Sequence, residues 1–207
     1  MQLESAAALL ATYPNLSANQ ARALARAARS YQEALWIADS DPRQAWLRLV
    51  TAVEAVSHLV GTSSGMSLAV PHPEIAERLS RAADPELTRL VTEKLLDHSR
   101  ATARFLRFFE RYGPPPPRPR PAPPFRVNWR NLQEQLRTIY RYRSEDLHQG
   151  TPIPWVMCRP PVATSPRSAA PERVWVPQEW AMAVPMHLHI FEYLVRMSLQ
   201  AWWKSLA

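Results

Sequence analysis

Tyr140-Arg141-Tyr142-Arg143-Ser144-Glu145-Asp146-Leu147-His148-Gln149-Gly150 sets an arginine on the inward side of a helix and a histidine at the same helix's end. The spacing predicts a helix from Asn128 with Leu132, Leu136, Ile139 and Leu147 on one apolar stripe, and Arg143 falls inside that stripe. A guanidinium there needs a carboxylate, a subunit seam or a bound anion, because burying it unpaired is costly.

Outward from this helix, the others announce themselves by their caps. Ser17 and Gln20 form a capping box that opens a helix to about Ala38, with Leu24, Ala28, Tyr31 and Leu35 inward. Asp41-Pro42 and Asp84-Pro85 each place an N-cap before a proline suited to a first turn, opening helices to about Val60 and Tyr112. The short gap between the first two predicts an antiparallel helical hairpin. Residues 61–73 read as a loop before a short helix at Glu74–Ala82. Pro185 opens a last helix with Met186, Ile190, Tyr193, Leu194, Met197 and Ala201 inward. The expected fold is therefore all-α, an up-and-down bundle of five or six helices in a single domain over residues 1–207.

Two segments break this pattern. Residues 113–124, with Pro114 to Pro117 and then alternating Pro and Arg, read as a stiff polyproline II connector. Residues 151–180 are rich in Pro and Ser and read as a loop insertion that can roof the motif. They have room for one small hairpin between Ile153–Met157 and the alternating run Arg173-Val174-Trp175-Val176.

Composition bounds the function. A hydrophobic content of 46 % suffices for a core, and the single cysteine, Cys158, excludes an internal disulfide framework and a Cys-based zinc site. Ser5 to Ala11 lacks the basic lead-in of a signal peptide, and no stretch reaches the length of a membrane span, so the expectation is a cytoplasmic protein with no membrane partner. The net charge of +7 is uneven: residues 113–150 hold seven Arg against three acids, a field that attracts polyanions such as RNA. A general bias toward Arg over Lys accounts for the same excess.

Spacing alone does not single out the motif. With 23 Arg and six His in 207 residues, about two Arg-x4-6-His matches arise by chance, and two occur, from Arg143 and Arg141, both ending on His148. Context carries more. Tyr-x-x-Arg-Ser-x-x-x-His-x-Gly at the end of an amphipathic helix resembles the signature of HEPN domains, all-helical modules that include many metal-independent endoribonucleases. Trp46-Leu47-Arg48-Leu49-Val50-Thr51-Ala52-Val53-Glu54-Ala55-Val56 looks like the family's earlier helix, with its glutamate after an apolar run. The chain departs from many relatives in placing Gln149 between His148 and Gly150.

The resemblance implies a ribonuclease that needs no cofactor or metal. Arg143 and His148 would be catalytic, and Ser144, Arg141, Tyr140 and Glu54 auxiliary or RNA-binding. Histidine titrates near neutrality and suits either proton transfer, while arginine offers a planar fork to phosphate oxygens. One histidine per chain leaves the reaction a proton carrier short, so the resemblance also implies a homodimer with facing motifs. An antitoxin or regulatory protein is a further implied partner. The alternative is a catalytically silent helical module binding nucleotide, RNA or a protein. Glu54 is positioned to pair with Arg143 across the core or to stay exposed. Arg143 and His148 are equally readable as an ion-paired arginine and a histidine favoured by the helix dipole.

Other features invite less. His187 and His189, two apart on a helix, are expected to point to different sides and make no metal pair. Arg100, Arg104, Arg107 and Arg111 form one face opposite Val91, Leu95, Phe105 and Phe109 and read as a solvated stripe. Most of the eight Trp read as core or interface rather than as base-stacking platforms.

Overall fold

The computed structural model describes residues 3–60, 73–82, 84–120, 126–159 and 184–206. The described residues include seven α-helices and no strand: α1 (Leu3–Ala11), α2 (Ala18–Ile37), α3 (Pro42–Ser57), α4 (Pro73–Ala82), α5 (Pro85–Tyr112), α6 (Leu132–Gln149) and α7 (Leu188–Lys204). The chain is all-α, with one helix more than the sequence reading allows. That extra element is α1, whose run of Ala and Leu needs no cap signal to be helical. It is tied to the far end of the chain where Trp203 Nε1 donates to Thr12 Oγ1 at 3.1 Å.

The caps form as their chemistry dictates. Ser17 accepts from Gln20 N while Gln20 Oε1 accepts from Ser17 N, a complete capping box. Asp41 and Asp84 accept from the backbone N–H of Gln44 and Leu87 at 3.0 Å, ahead of Pro42 and Pro85 in the first turn.

α3 is the hub, packing on α2, α5, α6 and α7. Its Trp46, Leu49, Val50, Val53 and Val56 are buried, and Trp46 stacks on Phe191 of α7 at 4.9 Å. Phe105, Phe108 and Phe109 of α5 close the core from the other side, and Phe105 meets Tyr140 at 5.0 Å. The stripe on the opposite face of α5 is graded, with Arg100 and Arg111 exposed and Arg104 and Arg107 half-buried.

Three inward faces differ from the expected phase. On α2 the buried residues are Ala23, Leu24, Ala27 and Ala34, with Tyr31 half-buried, while Ala28 and Leu35 are exposed. Alanines let α2 approach α3 closely, so the small side chains set the seam. On α7, which begins at Leu188 rather than Pro185, Phe191, Val195, Ser198 and Trp202 are buried along with Ile190 and Leu194; Tyr193, Met197 and Ala201 are only half-buried.

On α6, Leu147 is 52 % exposed and Asp146 is buried in its place. Seven residues after Ile139 is within about 20° of the same face, whereas eight is about 80° away. Asp146 can occupy the inward position because a guanidinium meets it there.

The connector is strapped to the bundle over its described part. Pro114 O accepts from Trp129 Nε1 at 3.2 Å and Pro115 O from Tyr193 Oη at 3.0 Å. Gly113 is required at its start, because a Cβ there would collide with Phe109 O. After α6, Trp155–Cys158 is a 3-10 turn and not the first strand of a hairpin. Pro152 and Pro154 lack the N–H groups a ladder needs, and Val156 and Met157 are instead buried, with Met157 O accepting from Trp46 Nε1 at 3.2 Å. The expected second strand at 173–176 lies outside the described residues, as do the loop at 61–72 and most of the 151–180 insertion.

Candidate functional site

α6 presents the motif in two layers. Leu136, Ile139 and Tyr140 are buried against the core, and they fix the rotation of the helix about its axis. Arg143, next on that side, is half-buried, and its Nη2 donates to Glu54 Oε2 of α3 at 2.7 Å. Tyr140 Oη donates to Glu54 Oε1 at 2.8 Å, so one carboxylate anchors two consecutive inward side chains of α6. The Arg143 guanidinium lies over the Tyr140 ring, 5.7 Å from its centroid. Burial first, then the Glu54 charge, pushes the Tyr140 hydroxyl well above its usual range. The partner that a guanidinium on this face demands is thus Glu54, although Arg143 Nε is itself buried without an acceptor.

One turn further on, Asp146 is held by Arg43 from the first turn of α3, through Nε to Oδ2 at 2.6 Å and Nη2 to Oδ1 at 2.9 Å. This two-pronged bond raises the Arg43 pKa. The other motif residues are exposed or half-buried. Arg141 is exposed, 3.7 Å from Glu145 and over the Tyr142 ring, and Ser144 is half-buried. His148 is exposed in the last turn of the helix. Gln149 completes the helix and Gly150 ends it with φ 68°. Gln149 is thus the last helical residue, and the left-handed cap falls on Gly150.

The fold brings Glu54, Tyr140 and Arg143 together. It does not bring His148 to them: His148 lies five positions after Arg143, about 140° around the axis, and no hydrogen bond joins His148 to Arg143 or Glu54. Within one chain the histidine and Arg143 serve different faces.

The rings of His187 and His189 lie 6.1 Å apart and nearly parallel, which corrects the expectation that they diverge. His187 is the N-cap of α7, with extended backbone at ψ 161°, so helical phase does not separate the two. Among the described residues no group of three or more His, Cys, Asp or Glu is placed to hold a metal ion.

Sequence reasoning missed Arg43 and Asp146, and it also missed a second polar knot. Tyr31 of α2 and Arg196 of α7 both hold Glu192, Arg196 Nε at 2.8 Å. Burial and then that hydrogen bond push the Tyr31 hydroxyl up strongly. Beside it lies a cavity of about 340 Å³ whose walls include Ala34, Leu49, Cys158, Leu188, His189 and Glu192. Burial raises the Cys158 thiol above its usual value, which favours the protonated form. Asp146 falls at the heptad position after Ile139, where an acid does not read as inward until its partner is known, and the cavity leaves no signal in local sequence.

No helix of the described residues is long and apolar enough to cross a membrane. Comparison with known proteins identifies no relative: no family model, no curated protein and no solved structure matches the chain.

Proposed function

We propose that this protein is a metal-independent endoribonuclease of HEPN type, working in the cytoplasm as a homodimer, in the role of a toxin or defence effector restrained by an antitoxin or regulatory protein. The observation that carries this reading is the construction of α6. Glu54 and Arg43 lock its inward side through Tyr140, Arg143 and Asp146, and its last turn offers an exposed histidine. A histidine on so firmly held a helix end is pre-organised for proton transfer.

In the reaction, His148 takes the proton of a ribose 2′-hydroxyl. The 2′-oxygen bonds to the adjacent phosphorus, and the bond from phosphorus to the 5′-oxygen breaks. His148 of a second copy gives that oxygen its proton, leaving a 2′,3′-cyclic phosphate and a 5′-hydroxyl. Arg143 meets the charge building on the phosphate oxygens when the second copy closes the site.

A second reading, a catalytically silent module that binds a nucleotide or other small ligand, is favoured by the 340 Å³ cavity, which falls in the size range of small-molecule sites. Expression in a bacterial host separates the two. The ribonuclease reading expects growth arrest relieved by His148→Ala, with a dimer by light scattering at micromolar concentration. Unimpaired growth at full expression, with only monomer present, favours the silent module.

A further inference from the structure

The α2–α3 hairpin carries an open groove of about 580 Å³ along its outer side. Arg26, Arg29 and Ser30 line it from α2, Arg48 and Thr51 from α3, and His58 from the C-cap of α3. These positions follow helical spacing, so each helix offers one continuous edge. The helices run antiparallel, and Glu33 marks one end by holding both Arg29 Nε at 3.0 Å and Arg48 Nη1 at 3.2 Å. His58, at the C-cap of α3, lies ten positions beyond Arg48, about 15 Å away.

The charges do not cancel. Glu54, the second carboxylate of the groove, is matched by Arg143, so three groove guanidiniums face Glu33 alone. Arg29 and Arg48 keep 82 % and 48 % of their side-chain surface exposed while bound to it, and Arg26 is exposed. Among the described residues of the lining the only apolar side chain is Ala55. Such a surface grips by charge and hydrogen bonding and offers no anchor pocket for a protein side chain.

Three guanidiniums gathered along one helix seam suit the backbone of a single strand of polyanion. The hydroxyls add a distinction. Thr51 Oγ1 spends its hydrogen on Leu47 O at 2.9 Å, so it presents lone pairs, which suit a ribose 2′-hydroxyl and not a phosphate oxygen.

Glu54 is shared. Its far side anchors Tyr140 and Arg143 of α6, so the groove and the motif cluster have a common wall. We infer that the α2–α3 groove is the track for the backbone of single-stranded RNA. Arg26, Arg29 and Arg48 take successive phosphates, and Thr51 accepts from a ribose hydroxyl. This rests on the reading of the protein as a ribonuclease and names where its substrate lies. The linear sequence hides the track, since residues 1–60 carry five Arg against five acids and only the fold gathers three of those arginines on one side.

The test is binding of a fluorescent oligouridine to the full-length His148→Ala protein, followed by anisotropy across a salt series. Changing Arg26, Arg29 and Arg48 together to Gln should weaken binding at least tenfold. It should also flatten the slope of log affinity against log salt by about 2, at about 0.7 per phosphate contact. Arg26→Gln alone, which disturbs no ion pair, should flatten it by about 0.7 and keeps the test open if the triple variant fails to fold. Absence of binding in the His148→Ala protein overturns the ribonuclease reading and the track with it. Binding whose affinity and slope are unchanged in both groove variants overturns the track alone. Tighter binding of polyglutamate than of oligouridine also overturns it, assigning the groove to an acidic peptide.

Discussion

Arg43 and Asp146, 103 residues apart, join the first turn of α3 to the last turns of α6 through a two-pronged hydrogen bond of 2.6 and 2.9 Å. The carboxylate is nearly sealed, with 3 % of its side-chain surface exposed, while the arginine keeps 45 %. That inequality decides what each truncation does. Arg43→Ala leaves a buried unpaired charge, whereas Asp146→Ala leaves a guanidinium that water can solvate. Thermal melts should therefore show a larger fall in Tm for Arg43→Ala than for Asp146→Ala. Equal or reversed losses would contradict the burial argument.

Glu54 anchors two side chains, so its loss should exceed that of either partner. Glu54→Ala should destabilise by about 2–3 kcal/mol and Tyr140→Phe by about 1 kcal/mol in urea unfolding. In RNA cleavage, Arg143→Ala should abolish activity while Arg141→Ala, altering an exposed side chain, only weakens it. The opposite ranking would move the phosphate contact to the outer face of α6.

The sequence made some of this architecture readable and hid the rest, and range along the chain explains which. The Ser17–Gln20 box and the Asp41 and Asp84 caps are bonds across three residues, so spacing suffices. The pairing of Arg143 with Glu54 was readable as a demand, a guanidinium on an apolar stripe, with Glu54 the carboxylate on the other motif helix. Asp146 was not, because an acid on a core face looks like an error until Arg43 arrives from α3. Likewise Ala27 and Ala34 of α2 carry little hydrophobic signal, yet their smallness brings α2 against α3 and shifts the face by one residue relative to Ala28 and Leu35.

Alkaline pH should weaken the fold through two tyrosine knots, at the buried Tyr140 and the half-buried Tyr31. Tyr140 and Tyr31 have folded pKa values above the ordinary value near 10, from burial first and then from Glu54 and Glu192. Groups raised in the folded state stabilise fully below their unfolded pKa and lose that contribution as pH rises beyond it. Tm should hold to about pH 9 and fall above about pH 10. Tyr31→Phe with Tyr140→Phe should start lower and fall less steeply. An alkaline decline of equal steepness in that double variant would place its origin elsewhere.

The most direct measurement of the central claim is cleavage of a defined single-stranded RNA in EDTA, with the ends of the products identified. The account predicts undiminished cutting without divalent metal, 2′,3′-cyclic phosphate ends, no cutting where the 2′-hydroxyl is replaced by methoxy, and none with His148→Ala. Cleavage that requires magnesium, proceeds on the methoxy substrate or on DNA, or survives His148→Ala would contradict it.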